Sequence, residues 1–544
     1  MLDDANSLSS GTQLRSEVCV VGAGVAGIAI ARELAKAGQQ VLLVESGDLK
    51  RSAATDALSM GSSAGDRYEF AHYHRSRFFG GSSNCWAGYC RPLEPEDFAV
   101  RPWIPNSGWP IGYADLLPYY QRTHEYLGLG PWDYSSEFWE TSIQHPQVRR
   151  APLDETGLRD SFNQFAYEPK LGVHHRSEVA SNPRVQVLLN ANLTEIETTP
   201  DGGQVTGLVL RTLSGRQVRA QARRYVLATG GIENARLLLA SARTRPEGIG
   251  NRNDLVGRYF MDHPRVIVGR VSLRDGYRHN LLYDVRHQNR SSIVAAHGTS
   301  VAAAFVLSPE VLAREELLSA RTSFWTNLVG EGTQGQEALA RFYRVRRDTR
   351  SVSRADLREL SQILRSTEAA AFAGSRLIPT SRRRVRETRL EIVAEQAPDP
   401  RNRVTLSAVR DALGVPRAHV DWEVSEAAER TLRRTAALVA EALARAGVAD
   451  IDGLEESDWT RALSGTVHHV HHMGTTRMHE SPELGVVDRD CRVHGVQNLF
   501  IAGSSVFPTG GSNFPTMTIA ALALRLADHL ARLDAPVVVP APNA

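Results

Sequence analysis

A glycine turn set between two apolar runs constrains this chain more than any other feature. Val18-Cys19-Val20-Val21 leads into Gly22-Ala23-Gly24-Val25-Ala26-Gly27, after which small and apolar residues recur at helical spacing to Ala37. Gly38 ends that segment, and Val41 to Val44 forms a second apolar run that stops at Glu45. Strand, helix and strand within about 30 residues predict two parallel strands joined by a crossover helix. In such a unit Gly22 permits the tight turn, Gly24 lets the backbone approach a pyrophosphate, and Gly27 lets the helix pack on the sheet. The unpaired N–H groups of the helix N-terminus face the phosphates. Glu45, at the end of the second strand, is placed to accept hydrogen bonds from ribose hydroxyls. The chain is expected to bind a dinucleotide.

The rest of the sequence decides which one. Segment 46–135 reads as loop-rich. From Val185 to Ala222 short alternating runs broken by Asp-Gly-Gly and Ser-Gly turns predict a β-meander. A buried strand from Tyr225 to Ala228 enters a second glycine turn, and a helix follows from Glu233 to Ser241. A chain using both FAD and NAD usually carries two GxGxxG turns, and only one is present; a meander before the second turn suits FAD. Residues 311–390 read as helix-rich and basic, with Arg382, Arg383 and Arg384 on a solvated face. Residues 388–424 read as strands, and Ala427 to Ala446 as an amphipathic helix. A strand at Leu499 to Ala502 and a helix from Thr516 to Leu533 close the chain, with a frayed tail.

Composition excludes several function classes. The 63 basic and 61 acidic residues leave a net charge of +2, which gives no bulk attraction to nucleic acid or membrane. Four cysteines without a CxxC pair are too few for a disulfide scaffold or a zinc ribbon. No apolar stretch is long enough to span a bilayer. The N-terminus lacks a secretory pattern, so a cytoplasmic location is expected.

Six further motifs are similar to those of the glucose–methanol–choline (GMC) oxidoreductases. They are Phe79 to Asn84 (FGGSSN), Gly108 to Tyr113 with Leu117 to Tyr120, Gly230 to Leu238 (GGIENARLL), Gly257 to Pro264 (GRYFMDHP), His471 to Met478 (HHMGTTRM) and Ala502 to Thr509 (AGSSVFPT). The resemblance covers nearly the whole chain and is weakest at 270–385. It is closer to the pyranose oxidase, gluconate dehydrogenase and fructose dehydrogenase branch than to glucose oxidase. It implies an α/β (α+β overall) fold: a Rossmann-like FAD-binding domain from discontinuous segments (1–70, 185–265 and 485–544) and a substrate domain (71–184 and 266–484). That substrate domain has an antiparallel sheet flanked by helices and a helical insert at 311–390.

The same resemblance implies FAD-dependent oxidation of an alcohol to a carbonyl, a base taking the hydroxyl proton as hydride leaves for flavin N5. The family's base stands three residues before the Gly-Thr pair, which is His471 here; His472 is expected to point elsewhere. A metal reading of residues 468–472 (HHVHH) lacks an acidic or thiol partner, so no metal is expected. The family's second group, His or Asn before a Pro-Thr, falls on Phe514 without a gap, and Asn513 lies one residue early. Asn513 is the expected second group, because Phe514 offers neither donor nor acceptor. The implied FAD contacts are Gly22, Gly24, Gly27, Glu45, Gly81, Ser82, Ser83, Asn84, Trp86, Leu193, Thr229, Gly230, Gly503, Ser504, Asn513 and Thr516. The helix beginning near Thr516 directs its N-terminus at the flavin pyrimidine edge. FAD is expected to be dissociable, with Cys85 packed beside it. A sugar or aminosugar is the expected substrate, such as the 6′-hydroxyl of a paromamine-like pseudodisaccharide. Tyr167, Glu395, Gln396 and Phe514 are its candidate contacts, with Gln164, Glu168 and the faces of Trp86, Trp103, Trp109, Trp325 and Trp422 as further ones. O2 or another carrier takes the electrons. The alternatives are a GMC enzyme for an apolar or sterol alcohol, or a flavin lyase or decarboxylase on the same fold.

Overall fold

The computed structural model describes all residues except 67, 69, 71–74, 144–147, 279, 285–294, 329–384, 465, 466, 469 and 534–544. Two eight-stranded sheets dominate the described residues. The first runs in the order Leu2–Asp4, Val185–Leu189, Val41–Val44, Gln13–Val21, Gln217–Leu227, Val205–Arg211, Asn192–Thr198, and Leu499–Ile501 also pairs with Gln217–Leu227. Val18 to Val21 pairs in parallel with both Val41 to Val44 and Arg224 to Leu227. Leu499 to Ile501 pairs in parallel with Tyr225 to Leu227. Val18 to Val21, Val41 to Val44, Tyr225 to Leu227 and Leu499 to Ile501 are apolar and buried, as expected where helices cover both faces of a parallel sheet. Helix Val25–Lys36 packs there beside the C-terminal helix Thr516–Leu533.

The glycine turn is shaped by crowding. Gly22 has φ +104°, and a Cβ there would stand 2.5 Å from the Ala228 carbonyl oxygen; a Cβ on Gly27 would stand 1.8 Å from the Gly22 carbonyl oxygen. Helix and strands approach to backbone contact, which no larger side chain permits. All the parallel strands therefore deliver their C-terminal ends to one place: Gly22, Glu45, Ala228 and Ala502.

The second sheet is antiparallel, in the order Val467–His468, Pro264–Val268, Val385–Ala394, Ala320–Leu328, Thr299–Leu307, Leu158–Phe165, Tyr89–Cys90. Its two central strands show the period-2 alternation of a sheet with unlike faces. Ala320, Phe324, Leu390, Ile392 and Ala394 pack with Leu432, Ala436, Val439 and Leu443 of helix Glu426–Arg445. Arg321, Ser323, Trp325, Glu391 and Val393 line a cavity on the other face.

Several expectations need correction. Val185–Leu189 is a parallel strand of the first sheet, bonded to Val41–Val44, and not part of the meander. Val218 to Ala222 and Tyr225 to Leu227 are one strand, Gln217–Leu227, antiparallel to Val205–Arg211 over its first half. Segment 46–135 contains the 15-residue helix Tyr113–Leu127, masked in sequence by Pro118 and opened by the Gly112 N–H donating to the Asp115 carboxylate at 2.8 Å. In 311–390, Ala320–Leu328 and Val385–Ala394 are strands, because cross-strand packing overrides the helical reading of an Arg-rich segment. Residues 329–384, with Arg382 to Arg384, and the tail after Leu533 lie outside the described residues.

Phe324→Ala removes a fully buried ring from the sheet–helix core and is expected to cost about 3–5 kcal/mol, against about 0.5–1.5 for Ile392→Val. Thermal unfolding midpoints of the two variants should fall in that order.

Candidate active site

Two cavities meet where the sheets face each other. The first, about 190 Å³, is walled by Gly22, Gly24, Glu45, Ser82, Leu193, Thr229, Gly230, Gly503 and Ser504, with Arg75, Arg77 and Glu233. The second, about 450 Å³, is within the usual size of a small-molecule site. Ser82, Gly230, Gly231, His472 and Ser504 border both.

The first cavity fits a dinucleotide on its own geometry. Gly230 (φ +91°) and Gly503 (φ +114°) border it, and a Cβ on either would meet no atom within 4 Å, so both backbones face open space. Glu45 is 4% exposed and accepts the Ala23 N–H at 2.9 Å and the Gly47 N–H at 3.0 Å. Those bonds, with the Ser46 hydroxyl donating to Oε1 at 3.2 Å, hold its carboxylate at the strand end while Oε2 keeps capacity for another donor. Helix Val25–Lys36 starts at Gly24 with no side-chain cap, leaving first-turn N–H groups for an anion. Glu233 contacts Arg75 at 3.3 Å and Arg77 at 3.4 Å. Burial opposes its ionisation, yet the charges of Arg236, Arg77 and Arg75 hold its carboxyl down at about 2. This network ties the loop before Gly80 to the second glycine turn. Glu233 lies in the GGIENARLL motif, but its pairing with Arg75 and Arg77 was not readable in sequence, since the contact spans more than 150 residues.

Other expected cofactor residues divide. Ser83, Trp86 and Thr516 border the second cavity, as does Cys85. Gly27 packs against the sheet, and the Asn84 amide donates to the Phe79 and Gly81 carbonyls, so both shape the walls without reaching them.

At the wall of the second cavity His471 meets the fully buried His263. A two-way backbone bridge, Met261 N–H to the Met473 carbonyl and the reverse, both 3.0 Å, brings the segments after Phe260 and His472 together. The buried Asp262 carboxylate accepts the backbone N–H of His263 at 2.7 Å and of His471 at 2.9 Å. Val470 just before has φ +59°, a costly conformation for a β-branched residue. The His263 and His471 rings then touch Nδ1 to Nδ1 at 2.8 Å, and His263 Nε2 lies 2.8 Å from the Gly511 carbonyl oxygen. A carbonyl only accepts, so His263 carries its proton on Nε2. Its Nδ1 is an acceptor, His471 donates from Nδ1, and the His471 lone pair is on Nε2. Burial lowers His263 to about 4. Burial, then the charges of His263 and Arg321, hold His471 well below the usual histidine range.

The expected second group is misplaced. Asn513 is buried with its amide donating to the Pro92 carbonyl at 2.8 Å and to Glu94 at 3.3 Å, away from the second cavity, and it borders neither large cavity. Phe514 faces the cavity instead, its ring 4.8 Å from that of His471. The turn through Gly511 (φ +57°) into the helix at Thr516 keeps the ungapped register, and no bulge brings Asn513 inward. His472 borders both cavities, and its ring packs against Phe260 and Tyr68, with centroids 6.1 and 5.9 Å apart, rather than against His471.

The substrate contacts also change. Glu395 is fully buried, binds Arg101 through 2.8 and 2.6 Å bonds, and does not reach the cavity. Burial works against its ionisation, but Arg101 keeps its carboxyl below the ordinary range. Gln396 accepts from the Trp422 indole at 2.6 Å and donates to the Glu423 carbonyl at 2.9 Å, a core contact. Tyr167 is 82% exposed on the surface. Gln164 donates to the Pro131 carbonyl, Glu168 accepts the Lys170 N–H, and Trp103, Trp109 and Trp422 line neither cavity. The residues that do line it, besides Trp86 and Trp325, are Tyr89, Arg265, Arg321, Ser323 and Glu391. For Arg321, Ser323 and Glu391 the alternation in 320–328 and 388–393 was the sequence signal.

Glu45→Gln removes the carboxylate charge from the wall of the first cavity. It is expected to weaken FAD by about 10–150-fold, the worth of a charge-assisted hydrogen bond, read as flavin retained after gel filtration and as Kd by flavin fluorescence.

Comparison with known proteins agrees with this geometry. A family described as FAD dependent oxidoreductase matches residues 17–247, and one described as GMC oxidoreductase matches residues 398–523. The fructose dehydrogenase large subunit of Gluconobacter japonicus is 25% identical over 96% of this chain and 98% of its own. Paromamine 6′-oxidase of Streptomyces fradiae is 27% identical over 95% and 91%. A formate oxidase variant from Aspergillus oryzae RIB40 shares the fold at TM-score 0.55 and 17% identity, over 97% of this chain and 99% of its own. No helix among the described residues is long and apolar enough to cross a membrane. With one cavity shaped to suit a dinucleotide and a histidine pair at the wall of a second, the chain is an FAD-binding oxidoreductase whose C-terminal part is similar to the GMC oxidoreductases.

Proposed function

We propose that the chain oxidises a hydroxyl of a sugar-like polyol to a carbonyl, with His471 as the base and dissociable FAD as cofactor. One observation carries this reading: the Gly511 carbonyl, His263 and His471 form a chain of ring contacts that makes Nε2 the unprotonated nitrogen of His471, a residue lining the larger cavity. A general base needs that protonation state before its substrate arrives. Burial keeps both rings neutral at pH 7, and Asp262 holds their backbones at fixed spacing. His263 acts through His471, so it is a positioning residue.

Bound FAD supplies the two-electron acceptor. His471 takes the hydroxyl proton on Nε2, and its Nδ1–H stays on His263. Phe514 packs on His471 and fixes its ring plane, so proton handling rests on one histidine supported by another. The wall suits a polyol better than a sterol or long-chain alcohol. Trp86, Tyr89, Trp325 and Phe514 offer flat faces to sugar C–H groups, and Ser323, Glu391, Arg265 and Arg321 offer polar partners that disfavour an apolar ligand. The oxidation of fructose and of paromamine named for the two relatives is in keeping with this substrate class. The aminosugar form loses support, since Glu395 is committed to Arg101 and Glu391 to Arg265.

Anaerobic flavin bleaching by a panel of sugars and alcohols tests the reading. His471→Ala should retain FAD and lose about 10²–10⁴ in the reductive rate. His263→Asn should lose about 10–100-fold through kcat with little change in KM, as expected for a lost orienting bond. Normal flavin reduction in His471→Ala would sink the proposal, as would a sterol or long-chain alcohol outpacing every sugar.

The two histidines also set a pH dependence. His263 falls from 6.5 to about 4 on folding and His471 shifts the same way, so the unfolded chain binds more protons as pH drops below 6.5. Their contribution is full above pH 6.5 and is lost as pH falls towards 4. Thermal midpoints between pH 7.5 and 4.5 should fall more steeply for the wild type than for His263→Asn.

A further inference from the structure

We infer that the substrate of this site carries a carboxylate, bound by Arg321. The inference rests on the alcohol-oxidation reading above and narrows it to sugar acids and related hydroxy acids.

Arg321 lies mid-strand in Ala320–Leu328, on the face that lines the larger cavity, and is 5% exposed. Its one hydrogen bond goes from Nη1 to the Asn163 side-chain oxygen at 3.3 Å, a neutral acceptor. Among the described residues no carboxylate comes within 4.0 Å of it. The Tyr89 ring lies 5.9 Å and the Phe514 ring 4.6 Å from its central carbon. Those π faces steady a cation, but the in-plane N–H groups still need acceptors. A buried charge is retained where it is paired. Among the described residues the other arginines that line the two cavities each have an acid: Arg75 and Arg77 meet Glu233, and Arg265 meets Glu391. Arg321 departs from this at the place where a ligand binds; Arg477, buried and without an acid among the described residues, lines neither cavity and donates to the Asn106 carbonyl.

Charge and position specify the ligand. Among the described residues the charged side chains of the wall are Arg265 and Arg321 against Glu391, leaving one positive charge. That excess matches a monoanion, whereas a phosphate dianion would leave a charge unbalanced. A planar carboxylate can take two parallel bonds from a guanidinium fork. Burial lowers the guanidinium to about 10, so it stays protonated at neutral pH. Phe514 lies between Arg321 and His471 and touches both. The anion is thereby anchored one ring's breadth from the base, which selects a hydroxyl a few bonds from the carboxylate.

The test compares flavin reduction in the holoenzyme by D-gluconate, D-glucuronate, D-glucose, D-glucosamine and glucose 6-phosphate, in wild type, Arg321→Gln and Arg321→Lys. FAD content is checked first in each. An acid is expected to exceed glucose by about 10–100-fold in kcat/KM, the range of a charged hydrogen-bonded pair. Arg321→Gln should collapse that ratio through KM, and Arg321→Lys should retain part of it. Acetate should compete with the reducing substrate in wild type and lose that effect in Arg321→Gln, while chloride at equal ionic strength does neither. Should Arg321→Gln lose FAD, the wild-type acetate competition and Arg321→Lys still decide the matter. Glucose, glucosamine or the phosphate ester ahead of both acids would overturn the inference, as would an unchanged acid-to-glucose ratio in Arg321→Gln. Sugar oxidation without acid preference or acetate competition would remove the anion site and leave alcohol oxidation standing. Acetate perturbing the flavin spectrum through Arg321, with no hydroxyl compound reducing the flavin, would do the reverse.

Discussion

The approach of Gly22 to the Ala228 carbonyl is the constraint on which the rest of the architecture depends. Only a residue without Cβ permits it. It brings two glycine turns, more than 200 residues apart, into backbone contact, so the strands leading into them lie side by side over their full length. The end of Leu499–Ile501 joins them on the other side. An uncapped helix start, a strand-end carboxylate and two open glycines then surround one volume. The cofactor cavity thus follows from strand order, as ligand sites do where parallel strands end.

The second sheet supplies the chemistry by having two unlike faces. Phe324, Leu390 and Ile392 seal one face against helix Glu426–Arg445, which commits their neighbours in the strands to the other. Arg321, Glu391 and Trp325 are therefore held on rigid backbone and not on loops, which favours a preorganised site. The histidine pair is positioned by a different device. The Met261–Met473 bridge and the shared Asp262 oxygen bring a segment near residue 263 against one near residue 471. The tautomer that leaves a lone pair on His471 is then a consequence of where the Gly511 carbonyl lies.

Much of the cofactor half was legible before folding was considered. Gly22, Gly24, Glu45, Thr229, Gly230, Gly503 and Ser504 sit in short motifs with fixed spacing from a strand or helix, and the first cavity gathers all of them. The substrate half was far less legible. Glu395, Gln396 and Tyr167 are plausible polar residues in the right segments, yet two are consumed by core pairing and one is on the surface. Asn513 and Phe514 illustrate the difficulty most directly. Chemistry argued for the amide, but one residue of phase in a turn decides which side chain enters the cavity, and Pro92 and Glu94 satisfy the amide elsewhere.

The sequence by itself determined the nucleotide turn, its acidic strand end, the crossover topology and His471 as the candidate base, because each depends on neighbours within a few residues. Tertiary structure alone decided that His263 meets His471, that Glu395 is spoken for by Arg101, and that Arg321 is left in the cavity without an acid among the described residues. Those outcomes depend on contacts across 200 residues or more, or on whether such a contact is lacking. No local pattern of residues encodes which charge will find a partner, since pairing is set by the strands that fold beside it.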